Sequence, residues 1–372
     1  MADIEQRKSS EPVYTDPSSA VFVYLVLKRM LFHLCKLLGL FRLSRRLTRD
    51  GLRILCYHGF AIDDECSFSR RTFISSETFT RRLAYLKKGG FPVLVLEEAL
   101  DALEDGTLSP DAIVITIDDG FYSVKSSAFP LLAEHGFPFT VYITSYYAVK
   151  GTPVFNLVIQ YMFWKSRMDH IDLRGLGMPG LKEVSFRDPG EKARVMWDII
   201  RYGDSECNEE GRLELSRRVG AQLGVDYEAI ARNRMLSIMT LDEIEDLVKA
   251  GVDIQLHAHR HSFPLDRERA IRELEMNREV LEPIVGSKLH HFCYPSGIWS
   301  REQWPWLSET GIRSAVTCDR GLNFKGAPMY GLLRIGDDEG LSQIEFEAEI
   351  SGFTELFRKL RNILLRSVGS GR

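Results

Sequence analysis

Two short stretches concentrate the side chains that carry hydrolytic chemistry. Residues 116–120 read Thr-Ile-Asp-Asp-Gly and place Asp118 and Asp119 side by side after an apolar run. Adjacent carboxylates repel unless a cation or a proton relieves them, so one Asp on a metal and the other acting as a base would resolve the conflict. The plainer reading is a strand that ends in an Asp-Asp-Gly turn. Residues 257–261 read His-Ala-His-Arg-His after a second apolar run. Neutral imidazole is the commonest protein ligand for zinc and similar ions, and four residues of turn can bring His257 and His261 to one ion. His259 is expected behind that set or at the surface. Two signals are weaker. His58 follows Tyr57, where a lone histidine is more often structural. Residues 292–297, Phe-Cys-Tyr-Pro-Ser-Gly, could aim backbone N–H groups at an oxyanion or form an ordinary turn.

Each of these stretches sits where an element ends. Strands are predicted over residues 53–57, 92–96, 112–117, 139–143 and 252–256, and helices over 76–89, 97–103, 126–135, 241–250 and 266–281. Such alternation implies a parallel sheet, open or closed into a barrel, whose strand ends carry the site. Residues 151–236 break the rhythm. An aromatic-rich stretch (Phe155, Tyr161, Phe163, Trp164), a Gly/Pro-rich one (175–180) and two helical ones (near 192–200 and 211–224) read as an insertion, with its aromatics expected to cap the site.

The 372 residues, 44% hydrophobic and 27% charged, describe a globular chain, and a net charge of −4 gives no reason to expect a nucleic-acid partner. Six cysteines without a CxxC pair read as reduced thiols in a cytosolic setting. Residues 1–50 read as a disordered start followed by a basic amphipathic helix. Its apolar runs, 20–27 and 30–41, are broken by Lys28, Arg29 and Lys36, which argues against a spanning segment. The pattern suits peripheral contact with the inner face of the cell membrane through residues 20–46, with packing on the protein's own core and a signal anchor as the alternatives.

Taken together, the four signals resemble the polysaccharide deacetylase family (carbohydrate esterase family 4, the NodB homology domain), above all its exopolysaccharide, poly-N-acetylglucosamine type. Residues 115–120 match the T-F-D-D-G motif. His257 and His261 keep the family's metal spacing, with Ala258 where Ser or Thr is usual. Residues 292–297 match the R-x-P-Y-G loop loosely, with Cys293 and Ser296 replacing Arg and Tyr. The resemblance implies a distorted (β/α) barrel over 51–372 with a largely helical insertion at about 151–236. It also implies Asp118 as general base, and Asp119, His257 and His261 as ligands of a divalent metal, with Zn expected and Co, Mn or Ni as alternatives. No His follows residue 291, where many members place the acid, so the exopolysaccharide relatives, which also open on a Tyr-His motif, point to His58 instead. On the same likeness Tyr294, Ser296 and Arg334 are expected at the substrate or oxyanion. The implied activity is removal of N-acetyl groups from amino sugars of a bacterial envelope polysaccharide or its precursor, with an N-acetylated glycan or lipid-linked sugar as partner. Hydrolysis of a non-sugar amide, a decayed glycan-binding protein, and a metal hydrolase built on His257-Ala258-His259 are the rivals.

Overall fold

The computed structural model describes residues 19–178 and 183–360, so the polar start (1–18) lies outside the described residues. They form two compact units, residues 29–151 with 237–360, and residues 19–28 with 152–178 and 183–236.

The first unit is a closed barrel of seven strands: β1 (Arg53–Tyr57), β2 (Ile113–Ile117), β3 (Thr140–Ile143), β4 (Asp253–Leu256), β5 (His291–Cys293), β6 (Ser314–Arg320) and β7 (Leu332–Gly336). Every neighbouring pair is parallel, and the strands follow one another around the barrel in chain order. This is a closed parallel (β/α) barrel: the alternating pattern predicts the parallel sheet, and the family resemblance implies that it closes as a barrel. β1, β2 and β3 are buried at every position, which is why, apart from Arg53, Thr116 and Thr140, they read as apolar runs rather than as alternating ones.

The expected strand at 92–96 does not form. Val93 makes one isolated bridge to Ile113, and Pro92, which has no N–H, only accepts from Ile113. β3 takes over β2's edge from Thr116 onward, which leaves that segment no further partner.

Five helices matter below: α1 (Ser19–Leu37), α2 (Leu40–Leu47), α3 (Ser76–Lys88), α4 (Arg267–Val285) and α5 (Gln343–Ile350). The single basic helix expected near the N-terminus is two helices, broken at Gly39, which sits at φ 78°. α3 begins at Ser75, whose side chain accepts from the Thr78 N–H.

The insertion is largely helical, with helices at Phe155–Lys165, Pro189–Glu206, Glu209–Leu223 and Tyr227–Arg232. Asp188 and Asn208 cap the second and third of these. Its aromatics do not form an exposed cap: Phe155, Tyr161 and Phe163 are buried in the insertion itself, where the Phe155 ring fills the space beside Gly203. An apolar run with helical period cannot by itself reveal which side is covered. The six cysteines are all unpaired thiols.

One buried ion pair ties α3 to the end of β7. Arg82 donates from Nε to Asp337 at 3.1 Å, and Tyr57 donates its hydroxyl to the same carboxylate at 2.9 Å. Arg82 is 1% exposed and also serves Gln343 and the Leu341 carbonyl. Asp337→Ala would strand a buried guanidinium and is expected to lower stability by about 3–5 kcal/mol. Tyr57→Phe should cost about 1 kcal/mol. Urea unfolding of the two variants measures the difference.

Candidate active site

Asp118 and Asp119 leave the C-terminal end of β2, the end at which barrel sites are built. The Asp118 N–H donates to the Tyr57 carbonyl at 2.9 Å, which carries the β1–β2 ladder one residue further. The chain then turns sharply, with Asp119 at φ 69° and Gly120 at φ 83°. A Cβ on Gly120 would lie 2.5 Å from the Ile143 side chain, so the turn needs glycine for space as well as for backbone conformation. The two carboxylates consequently face different partners.

Asp119 faces the histidines. His257 leaves the end of β4, and its Nδ1 lies 2.8 Å from the Cys293 carbonyl. A carbonyl can only accept, so Nδ1 carries the proton and the Nε2 lone pair points into the site. Nε2 of His257 and Nε2 of His261 each lie 3.2 Å from the same Asp119 oxygen, and the two rings are 4.8 Å apart. Burial alone would raise the Asp119 carboxyl, but the two histidines facing it hold it well below the usual carboxylate range. One carboxylate oxygen and two imidazole nitrogens within 4.8 Å of one another fit a divalent cation of the zinc type.

Asp118 faces the barrel interior. Arg334, from β7, donates from Nη1 to Oδ1 and from Nη2 to Oδ2, both at 2.7 Å. Its Nε donates to the Thr317 carbonyl at 2.7 Å. The thiols of Cys293 and Cys56 lie 3.3 and 3.6 Å from Oδ2. Burial would push Asp118 up, but the charge and hydrogen bonds of Arg334 outweigh it and keep the group ionised. His58 approaches from the mouth: its Nε2 is 3.7 Å from Asp118 Oδ2, and its side chain is 32% exposed.

The structure thus brings together Asp118, Asp119, His58, His257 and His261. It corrects two expectations. Arg334 does not face substrate or oxyanion; at 1% exposure it lies beneath Asp118 and is spent on it. Tyr294 is fully buried, with its hydroxyl on the Tyr330 carbonyl and its N–H on the Val316 carbonyl. Pro295 has no N–H, so Ser296, held at φ 57° at the surface, has the backbone N–H on this loop that can be offered to an oxyanion. His259 lies behind the first set, 8% exposed, with Nδ1 2.9 Å from the Ser145 hydroxyl.

Sequence reasoning missed Asn277. From α4 it accepts the His257 N–H at 3.0 Å and donates to the Ile143 carbonyl and the Ser145 hydroxyl. It is fully buried on a helix whose other residues are mostly charged or exposed, and only that contrast of an amide on the inward stripe could have marked it.

Residues 223–315 match the model of the polysaccharide deacetylase family. The chain is 24% identical over 208 residues to the putative polysaccharide deacetylase YxkH of Bacillus subtilis (strain 168), covering 52% of this chain and 70% of that one. Among solved structures, the Streptococcus pyogenes deacetylase PplD in complex with acetate superposes with a TM-score of 0.53 at 14% identity, over 81% of this chain and 98% of that one. IcaB from Ammonifex degensii gives 0.52 at 18%, over 81% and 97%. These structures share the fold. The chain resembles the polysaccharide deacetylase family in its motifs as in its barrel, and the likeness supports a deacetylase.

Equilibrium dialysis with Zn(II) is expected to show one bound ion per chain, lost in His257→Ala and in His261→Ala. Asn277→Ala removes the amide that ties the His257 N–H to the Ile143 carbonyl and the Ser145 hydroxyl, and should weaken binding by about 10- to 100-fold.

Proposed function

We propose that this protein is a divalent-metal-dependent N-deacetylase. Its substrate would be an N-acetylated amino sugar in a bacterial envelope polysaccharide or its precursor, free or lipid-linked. It would work peripherally at the inner face of the cell membrane through residues 20–46. The observation that carries the reading is the division of labour between two adjacent carboxylates: Asp119 on the paired histidines, and Asp118 on Arg334 with His58 beside it.

Asp119, His257 and His261 would hold the ion. When bound, a divalent cation supplies Lewis acidity, which polarises the amide carbonyl and makes a water more acidic. Asp118 accepts the proton of the attacking water. Arg334 keeps both its oxygens oriented, so the base costs no reorganisation when the proton arrives. The Ser296 N–H is the donor offered to the developing oxyanion. His58, at the mouth and within reach of Asp118, protonates the leaving amine. Carbon–nitrogen cleavage then yields acetate and a free amino sugar.

The test is acetate release from N-acetylglucosamine oligomers with Zn(II) or Co(II) present. Asp118→Asn and His58→Ala should each lower kcat by about 10²–10⁴-fold, the range of general acid–base catalysis. Neither should abolish metal binding. No release from any N-acetylhexosamine substrate, with Asp118→Asn indistinguishable from the parent, would overturn the reading.

A further inference from the structure

The two N-terminal helices meet the barrel through a mixed face of cations, aromatics and the Cys35 thiol. From α1, Arg29 ion-pairs with Glu345 at 3.3 Å and Lys36 with Glu347, and both carboxylates are buried on α5. Beside them Cys35 and Phe41 pack with Ile344, Ala348 and Phe353, with Phe32 against the same cluster. Three contacts anchor the end of α2: Arg45 reaches Asp111 at 2.8 Å, the Arg53 guanidinium donates to the Thr48 hydroxyl, and the Asp111 N–H donates to the Arg49 carbonyl.

Cations and aromatics therefore hold the helices down, and the leucines are left outside. Leu31, Leu34, Leu38, Leu43, Leu47 and, beyond α5, Phe357 are between 52% and 67% exposed. Phe357 belongs to the same surface, because its ring packs on Phe353 at 4.9 Å, and Phe353 in turn packs on Phe32 and Phe41. An apolar surface spread over three helical segments marks an interaction site.

Charge identifies the occupant. Residues 17–49 contain no acidic side chain. Arg42 and Arg46 are exposed and have no partner among the described residues. A symmetric second copy would set one basic face against another. Anionic headgroups would pair with them while the leucines enter the acyl boundary. Among the described residues no helix is long and apolar enough to cross a membrane, so the face would lie on it.

We propose that α1 from Arg29 onward, α2 and the helical residues 353–360 form one monotopic docking face for an anionic lipid bilayer, clamped to the barrel by Glu345 and Glu347. The inference deepens the membrane-proximal reading above and rests on it, adding the C-terminal segment and an orientation. α5 runs along the barrel's flank: the Leu341 carbonyl before it accepts from Arg82 near the end of β7, and the Ile350 carbonyl at its foot accepts from Arg53 at the start of β1. Docking by this flank lays the barrel on its side, so its mouth opens along the lipid surface, toward sugars held near the headgroups.

The test is flotation of the purified full chain with phosphatidylcholine vesicles, with and without 30 mol% phosphatidylglycerol. The expected result is binding to the anionic vesicles that weakens with salt. It should fall at least tenfold in Leu34→Glu/Leu38→Glu and, separately, in Phe357→Glu/Leu360→Glu, and about fivefold in Arg42→Ala. Thermal melts and Zn(II) binding of each variant, read without lipid, should match the parent. This separates a failed docking face from a failed fold or a failed catalytic reading. Three outcomes overturn the proposal: no binding to anionic vesicles, binding unaffected by the Phe357/Leu360 pair, or a lipid-free dimer that the same substitutions dissociate.

Discussion

The Arg334–Asp118 ion pair, buried in the barrel's interior, organises the site. A charge pair so far from water is costly unless every polar atom is matched. Here both carboxylate oxygens receive a guanidinium N–H, the Arg334 Nε has the Thr317 carbonyl, and Thr116 accepts from Nη1. β7 and β2 flank β1 in the closed barrel, so the pair also bridges the barrel across one strand. Its consequence is chemical as well as structural. With Asp118 held by arginine, the neighbouring Asp119 is the one left to face the histidines, and two adjacent carboxylates take two roles. Cys293 fits this arrangement: its thiol packs against Arg334 Nη2 at 3.3 Å and fills interior space while its carbonyl orients His257.

Strain at the mouth follows from the same geometry. Among the described residues, four of the seven non-glycine residues with positive φ, Asp119, Ala258, His261 and Ser296, sit on the loops that build the site. Such conformations cost about 1–3 kcal/mol each and persist where the surroundings over-determine them. Asn277 is one such determinant, since it ties the end of β3, Ser145 and the His257 backbone to α4. Ala258 is fully buried in its strained turn, so the position where the resembled family places Ser or Thr is here a small apolar one.

The flank bearing α1 and α2 shows how charge can invert an amphipathic helix. Its cations, the residues expected at headgroups, are in part consumed by buried glutamates of α5. Burying those carboxylates without partners would be costly, so the clamp stabilises both sides and fixes which face of the helix is outward. The outward face is then left with the leucines and with the exposed Arg42 and Arg46.

Much of the fold was legible in the sequence, because strands buried on both faces and helices with clear stops leave local signatures. Four core side chains, Asp118, Asp119, His257 and His261, were legible too, since each lies next to the strand end that positions it. What sequence could not determine are the pairings that close across the barrel. Arg334 is 216 residues from Asp118, and Asn277 is 20 from His257 and 132 from Ser145. Nothing local distinguishes a guanidinium aimed at substrate from one aimed at a neighbouring carboxylate, and the insertion's buried aromatics were misread for the same reason. Residue type and spacing determine which chemistry is available. Only the closed barrel decides which atoms meet, because burial and hydrogen-bond satisfaction depend on strands far apart along the chain.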